Sequence, residues 1–199
     1  MRDKWYGDNR DLVKWGVLLN LATDYAANRI LRVTYFRPSE WAPVNIDGRE
    51  RPIPEAVLRH FRDVRNIKEL SPGPRIEILD APFVDRRKYT EAVFEAIGRR
   101  QHGEACVVFL DPDTGLAPRT PSFEHVLDSE VSEIWQHMPA GDVLVFYQHQ
   151  TNRNATPWIE SKREQFEKAL GLSPGTAKVA SGMAIARDVA FFYCRKTAA

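Results

Sequence analysis

One short stretch near the middle of the chain constrains the fold more than any other. Residues 107–110 are four consecutive apolar residues, and they are followed at once by Asp111-Pro112-Asp113-Thr114-Gly115. A short apolar run that ends in turn-forming residues is typical of a strand buried on both faces of a sheet. Because open α/β sheets bind their ligands at the carboxyl ends of the strands, Asp111 and Asp113 are predicted to face a functional site. The alternative, given equal weight, is that both carboxylates only complete a turn.

The rest of the chain alternates between helical and extended patterns around that stretch. Amphipathic spacing predicts helices at residues 11–28, 55–70, 86–99, 122–138 and 157–170. Apolar and β-branched runs predict strands at residues 30–36, 75–79, 107–110 and 142–147, and a closing hairpin whose turn is Arg187-Asp188. This alternation predicts an α/β fold with a mixed, mostly parallel sheet, helices on both faces and an antiparallel hairpin at the end.

Residues 37–54 interrupt the alternation. They contain four prolines, an Asp47-Gly48 turn sequence and Trp41, and they are predicted to form an irregular loop that is long for a compact domain. At 199 residues the chain is expected to form a single domain over 1–199. Its oligomeric state is left open by the sequence.

Composition limits the classes of partner. The chain has 28 Lys and Arg residues and 27 Asp and Glu residues, so its net charge is too small to attract a polyanion such as nucleic acid. Nucleic-acid binding would therefore need a local basic patch. No signal peptide is recognised at the start, and the apolar runs are too short to span a bilayer, so a cytoplasmic protein without a membrane partner is expected. Cys106 and Cys194 are predicted to be buried thiols.

A basic stripe is the best candidate for a local patch. Arg59, Arg62 and Arg65 recur at helical spacing in the predicted helix 55–70, and Trp41 and His149 lie in polar segments elsewhere. Cationic side chains bind phosphates and aromatic rings stack on bases, so these five residues are the candidates for contacting nucleic acid. A solvated helix face is the commoner meaning of such a stripe.

Two sequence motifs resemble those of a known enzyme family. Residues 6–15, Tyr-Gly-Asp-Asn-Arg-Asp-Leu-Val-Lys-Trp, are similar to the N-terminal cofactor-binding motif of the large-subunit ribosomal RNA adenine-N6 methyltransferases. Gly7, Asp11 and Lys14 fit that pattern, whereas Asp8 and Trp15 replace its asparagine and histidine. Asp111-Pro112 resembles the first half of the Asp-Pro-Pro-Tyr catalytic motif, with Asp113 and Thr114 in place of the second proline and the aromatic residue.

The resemblance implies a Rossmann-like, methyltransferase-like fold, S-adenosylmethionine as cofactor and an adenine base in nucleic acid as substrate. Asp111 and the Pro112 carbonyl would then accept hydrogen bonds from the amino group of a flipped adenine, with Asp113 beside them. Gly7, Asp11, Lys14 and Asp80 would hold the cofactor. One departure is notable: the first strand is followed by Phe36-Arg37-Pro38 instead of a glycine-rich turn, which predicts an obstructed cofactor pose.

Two other functions remain open at this point. Asp111 and Asp113 could bind Mg²⁺ or Mn²⁺ for phosphoryl or nucleotide chemistry, with Asp80, Asp85 and His149 completing the site, because hard cations prefer carboxylate oxygens. Alternatively, the chain could be a catalytically inactive, methyltransferase-like module that still binds nucleic acid.

Overall fold

The computed structural model describes residue 2 and residues 5–70, 73–150 and 157–198. Its strands are β1 (Arg29–Val33), β2 (Val44–Ile46), β3 (Arg49–Arg51), β4 (Arg75–Leu79), β5 (Cys106–Leu110), β6 (Gly115–Leu116), β7 (His125–Val126), β8 (Val143–His149), β9 (Lys178–Gly182) and β10 (Ala186–Arg195). Its α-helices are α1 (Asn9–Asp24), α2 (Glu55–Arg62), α3 (Arg86–Gly98), α4 (Asp128–His137) and α5 (Trp158–Leu170). A 3-10 helix follows α2 at Val64–Glu69.

Six of these strands form one mixed sheet in the order β4-β1-β5-β8-β10-β9. The pairs β4·β1, β1·β5 and β5·β8 are parallel, whereas β10 runs antiparallel to both β8 and β9. After β1 the chain forms β4 on one side of β1, and it then crosses back to form β5 on the other side of β1. The carboxyl ends of β1 and β5 therefore border a topological switch point, where open α/β sheets form a crevice. The predicted fold class, a mostly parallel Rossmann-like sheet with a closing antiparallel hairpin, is confirmed.

Helices cover both faces of the sheet. On one face, Leu18 and Leu21 of α1 pack in an apolar cluster with Ile30, Val107 and Phe109. On the other face, Leu31 and Val33 share a second cluster with residues of α3, α4 and α5, among them Val93, Ile134 and Phe166. Successive residues of β1 thus face opposite layers, as the twofold periodicity of a strand requires. Residue 32 consequently faces α1, which becomes important for the site.

Several predicted boundaries were wrong because local polar contacts end elements early. The helix predicted over 55–70 breaks at Asp63, whose extended backbone stops α2 and whose side chain caps the 3-10 helix through the Arg65 N–H. The strand predicted over 30–36 ends at Val33, and Tyr35 adopts a left-handed backbone with φ of 46°. The helix predicted over 122–138 begins only at Asp128, since His125–Val126 pairs as β7 with β6.

Two further corrections concern turns. The segment 37–54 is not wholly irregular, because β2 and β3 form an antiparallel hairpin around Asp47-Gly48. The closing hairpin exists, but its turn lies at residues 183–185. Arg187 and Asp188 therefore belong to strand β10 and do not form the turn. The pairing register of β10 with β9 shifts between Ala186 and Phe191, and Asp188 lies within this irregular part.

Both cysteines are buried thiols, as predicted. Burial raises the pKa of the Cys106 thiol to about 12, so this side chain behaves as a small apolar residue near neutral pH. In the part of the chain that the structure describes, no helix has the length and apolar character needed to cross a membrane.

Candidate functional site

A buried cluster of four charges lies between α1 and the sheet. The ammonium nitrogen of Lys14 lies 2.7 Å from Oδ1 of Asp11 and 3.1 Å from Oδ2 of Asp111. Arg32 donates to the same Oδ2 of Asp111 through Nε at 2.9 Å and Nη2 at 2.6 Å. All four residues are at most 5% exposed. The two cations balance the two carboxylates, and burial of charge requires such pairing.

Three separate parts of the fold position the four members of the cluster. Asp11 and Lys14 are one helical turn apart on α1 and therefore share a face. Arg32 comes from the α1-facing side of β1, and Asp111 directly follows β5. Asp11 Oδ2 also accepts a hydrogen bond of 2.7 Å from the N–H of Gly7, which has a φ of 83° that favours glycine. Lys14, predicted to hold the cofactor, therefore contacts Asp111, predicted to be catalytic.

The cluster keeps Asp111 ionised. Burial by itself would raise the pKa of Asp111, but the positive charges of Lys14 and Arg32 outweigh burial and lower the pKa below its usual value. Asp111 is therefore a carboxylate near neutral pH, which accepts hydrogen bonds and has no proton to donate. The structure gives it the protonation state that an acceptor needs.

A cleft of about 420 Å³ lies beside this cluster at the carboxyl edge of the sheet. Its walls carry both signs of charge, with Asp8 and Arg10 from the start of α1 and Pro112 and Asp113 from the loop after β5. Two aromatic rings add apolar surface: Tyr147 of β8, and Trp5, whose side chain is exposed. Lys14 lies over the Tyr147 ring, 5.0 Å from its centroid. Such a lining can bind a ligand that has charged groups for the ion pairs and an aromatic ring to pack against the aromatic side chains.

Asp113 belongs to a separate ion-pair group. Arg37 donates to Asp113 and, at 3.0 Å, to Glu124, so the loop after β5 is tied to the segment after β1. Arg2 lies 3.9 Å from the Asp113 carboxylate. Asp111 and Asp113 thus contact different cations and do not converge on one point.

This separation bears on the metal hypothesis. Among the described residues, no group of three or more His, Cys, Asp or Glu side chains is placed to hold a metal ion. Asp85, a predicted ligand, instead caps α3 by accepting a hydrogen bond of 3.0 Å from the Lys88 N–H. Asp80 pairs with Arg65 at 2.5 Å. Each carboxylate proposed as a ligand already has a partner in the chain.

His149 and Asp188 form a pair on the cleft wall. His149 is the last residue of β8 and lines the cleft, and its Nε2 lies 3.1 Å from Oδ2 of Asp188. The same carboxylate oxygen accepts Nε of Arg10 at 3.2 Å. Burial would raise the pKa of Asp188, but its hydrogen bond to Arg10 and the neighbouring charges lower it overall. Asp188 is therefore an anion beside the imidazole.

A second cleft of about 330 Å³ lies at the carboxyl ends of β1 and β4. It brings together Trp41, Arg59, Arg62 and Arg65, the residues predicted to contact nucleic acid, and Asp80, the residue predicted to contact the cofactor's adenosine. His149 lies in the first cleft, so the five nucleic-acid candidates do not form one surface. Arg59 pairs with Glu55 at 3.2 Å and Arg65 with Asp80, which leaves the basic stripe largely neutralised.

The segment Trp5 to Gly7 links the two clefts. Trp5 lines the first cleft, and the carbonyl of Tyr6 accepts a hydrogen bond of 2.6 Å from Nη1 of Arg62, which lines the second. This hydrogen bond therefore ties the segment that follows Trp5 to a residue of the second cleft.

The turn after β1 also contains Tyr35, which directly precedes the Phe36-Arg37-Pro38 sequence predicted to obstruct the cofactor. Tyr35 holds the left-handed conformation that glycine usually takes, but its ring is buried against Phe83 and Tyr89, with centroids 5.1 Å apart in each pair. Its N–H donates to the Tyr89 hydroxyl at 2.8 Å. The bulky ring thus points into the layer of α3 and away from both clefts. Of the Phe36-Arg37-Pro38 sequence, Phe36 lines the second cleft, together with Trp41 and Asp80.

Gly115, at the end of the loop after β5, packs tightly against the side chain of Gln148. Its φ is 133°, and an added Cβ would lie 2.3 Å from Oε1 of Gln148. Gln148 in turn accepts from the Leu116 N–H at 2.9 Å and donates to the Thr114 carbonyl at 3.3 Å. The Asp-Thr-Gly sequence therefore serves to hold this loop against β8.

Sequence reasoning located the cleft but missed several residues that build it. Arg32 was read only as part of an apolar strand, although a single arginine among β-branched residues is a signal of a buried ion pair. Arg10, Arg37, Tyr147 and Asp188 were also missed, since their partners are distant in sequence. The polar run predicted to continue from Gln148 reaches residues 151–153, which lie outside the described residues.

Acid is expected to destabilise the fold through Asp111 and Asp188. Both pKa values are lower in the folded chain than in the unfolded chain, so the unfolded chain binds more protons in acid. Their stabilising contribution is present above the ordinary aspartate pKa and is lost as the pH falls through the folded values. Urea midpoints measured from about pH 7 to about pH 3 should fall steadily. An Asp188→Asn variant should show a shallower fall; a pH dependence identical to the wild type would contradict this.

The comparisons with known proteins give distant likenesses. No protein-family model and no curated protein sequence matches this chain. Among solved structures, it is similar to a candidate methyltransferase from Thermobifida fusca YX (12% identity, TM-score 0.43, 96% of this chain and 80% of that chain). It is also similar to a DUF574 family protein from Streptomyces avermitilis MA-4680, with 11% identity and a TM-score of 0.46, over 94% of this chain and 82% of that chain. The structure of a fibrillarin/Nop5p complex is similar with 12% identity and a TM-score of 0.39, over 85% of this chain and 72% of that chain.

Proposed function

We propose that this chain is a methyltransferase-like enzyme that binds S-adenosylmethionine across the two clefts. The observation that carries the proposal is the placement of aromatic and acidic side chains at the switch point. Trp41, Phe36 and Asp80 share one cleft at the ends of β1 and β4, and the charged cleft beside Asp111 lies at the end of β5. Ligands of this class of sheet bind across such a crevice.

The donor set fits the two chemically different ends of the cofactor. In the second cleft, the rings of Trp41 and Phe36 offer apolar faces for an adenine, and Asp80 is an acceptor for ribose hydroxyls. In the first cleft, Asp8 and Arg10 offer opposite charges for an ammonium and a carboxylate. Asp11 and Lys14 line this cleft too, and Asp11 would also hold the start of α1 in place through its hydrogen bond from Gly7. The ring of Tyr35 packs against Phe83 and Tyr89 and lines neither cleft.

When bound, the cofactor would supply a methyl group activated by a positively charged sulfur. The chain's own residues would orient the acceptor in the first cleft. Asp111 is a carboxylate and lines the cleft together with Pro112, as the adenine-N6 resemblance requires. The aromatic residue missing after Pro112 has a substitute in Trp5, which is 53% exposed in the lining of the same cleft. An adenine base in nucleic acid is therefore the acceptor that we propose.

Calorimetry with S-adenosylmethionine tests the cofactor. The wild-type chain should bind it with a dissociation constant in the micromolar range, and Trp41→Ala should weaken binding about tenfold or more, because the adenine loses an aromatic face. Arg87→Ala is the matched control, since Arg87 is an exposed residue on α3 that lines neither cleft. Absence of binding heat from protein whose circular dichroism shows a folded chain would contradict the proposal. Retention of RNA binding by such a protein would support the non-enzymatic module.

A further inference from the structure

We propose that His149, held by Asp188, is the proton acceptor of the first cleft. The proposal deepens the proposed function, on which it rests for the identity of the reaction. An acceptor atom that carries hydrogen, such as the nitrogen of an adenine amino group, must lose a proton when it gains a methyl group and ends uncharged. Asp111 is placed to accept a hydrogen bond but is already engaged by two cations, so a second group is needed to take that proton away.

The geometry of the pair selects the ring nitrogen that can do this. Asp188 is an anion, and an anion beside Nε2 at 3.1 Å favours the tautomer in which Nε2 carries the hydrogen. Nδ1 then carries the lone pair and is the basic atom of the ring. The arrangement of a carboxylate, an imidazole and a reacting group is the one that general-base catalysis uses.

The imidazole sits on a rigid platform. The His149 N–H donates to the Thr114 carbonyl at 2.8 Å, and His149 is opposite Val189 in the β8·β10 register. Asp188 is fixed from the other side, since its carboxylate binds Arg10 of α1 and its carbonyl accepts from the Gln150 N–H at 2.8 Å. Three separate parts of the fold therefore hold the pair at the cleft, which a surface histidine would not require.

The proposed step balances as follows. The acceptor nitrogen forms a bond to the methyl carbon, and the bond between that carbon and sulfur breaks with its electron pair going to sulfur. The acceptor's proton goes to Nδ1 of His149, and the imidazolium so formed is stabilised by the Asp188 carboxylate. The substrate class is accordingly one with a removable proton on the accepting atom, such as the adenine amino group.

Imidazole nitrogen chemical shifts of the ¹⁵N-labelled, ligand-free protein test the pair. Above the pH at which histidines lose their charge, His149 should show a protonated Nε2 and an unprotonated Nδ1, and Asp188→Asn should abolish this preference. His102→Gln, an exposed loop substitution, serves as the control and should leave the His149 signals unchanged. A protonated Nδ1, or a preference unaffected by Asp188→Asn, would overturn the proposal.

Methyl transfer tests the step itself. With tritiated S-adenosylmethionine and an adenine-containing RNA hairpin, His149→Gln should lower the transfer rate at saturating cofactor about 10²–10⁴-fold. The residual rate of the variant should rise in proportion to hydroxide concentration, which a merely structural role would not produce. Equal rates for variant and wild type would overturn the role of His149. Absence of cofactor binding by the wild type, with the tautomer as expected, would overturn the proposed function but not the pairing of His149 with Asp188.

Discussion

Replacement of Asp111 by alanine should lower the free energy of unfolding by about 3–5 kcal/mol. Asp111 is 1% exposed and faces Lys14 and Arg32, which are themselves 4% and 0% exposed. Without this carboxylate, two cations would share Asp11 alone, and one buried positive charge would be uncompensated. Urea denaturation followed by tryptophan fluorescence measures the loss directly.

Two variants make this prediction specific to the buried charge. Asp113→Ala, two residues away, removes a carboxylate whose partner Arg37 is partly exposed, and should cost only about 1 kcal/mol. The double variant Arg32→Met with Asp111→Leu removes one charge of each sign and keeps Lys14 paired with Asp11. It should be more stable than Asp111→Ala, because apolar groups can replace a buried ion pair at little cost. A loss below about 1 kcal/mol for Asp111→Ala would contradict the assigned cluster.

Gly115→Ala is the second substitution expected to have a large effect, with a loss of roughly 2–5 kcal/mol. The backbone at φ 133° is unfavourable for any residue with a side chain, and the new methyl group would collide with the Gln148 amide. To avoid the collision, Gln148 must move and give up its hydrogen bonds to the Leu116 N–H and the Thr114 carbonyl, which loosens the loop that carries Asp111 and Asp113. Cofactor binding should therefore weaken together with stability, which calorimetry on the folded variant can measure.

Gly141 provides the matched control for Gly115. It also has a positive φ, 95°, but an added Cβ would meet no atom within 4 Å. Gly141→Ala should therefore show only the backbone cost, about 1–2 kcal/mol. In a double-mutant cycle, Gln148→Ala should recover at least about 1 kcal/mol of the Gly115→Ala loss, because it removes the colliding atoms. Equal losses at the two glycines would show that the contact with Gln148 is unimportant.

Local patterns in the sequence were sufficient for the sheet and for part of the cluster. Residues 75–79 alternate between apolar and polar side chains and are bounded by proline and aspartate, so the strand was predicted with its observed limits. The Asp-Pro that follows a wholly apolar strand located the carboxyl edge of the sheet. The resemblance of residues 6–15 singled out Gly7, Asp11 and Lys14, and the structure brings Lys14 into contact with Asp111.

The remaining features depend on contacts between distant segments. Asp188 was predicted as a turn residue because Arg-Asp is polar and lies between two apolar runs, but Arg10 and His149 bind its carboxylate and hold it within β10. The second cleft could not be predicted, because it depends on how residues 41–65 fold back towards Asp80. Val57 and Phe61 of α2 remain 42% and 62% exposed, so burial did not follow from their apolar spacing.

The shifted register of β10 has a practical consequence for protein engineering. Inserting residues at the hairpin tip, 183–185, would lengthen a turn that lies outside the paired part of the sheet. Inserting a single residue between Asp188 and Phe191 would instead shift Asp188 by one position relative to the residues of β10 that pair with β8, and would turn its carboxylate to the opposite face. Peptide tags or reporter loops are therefore better grafted at the tip, where the side chains of the first cleft keep their alignment.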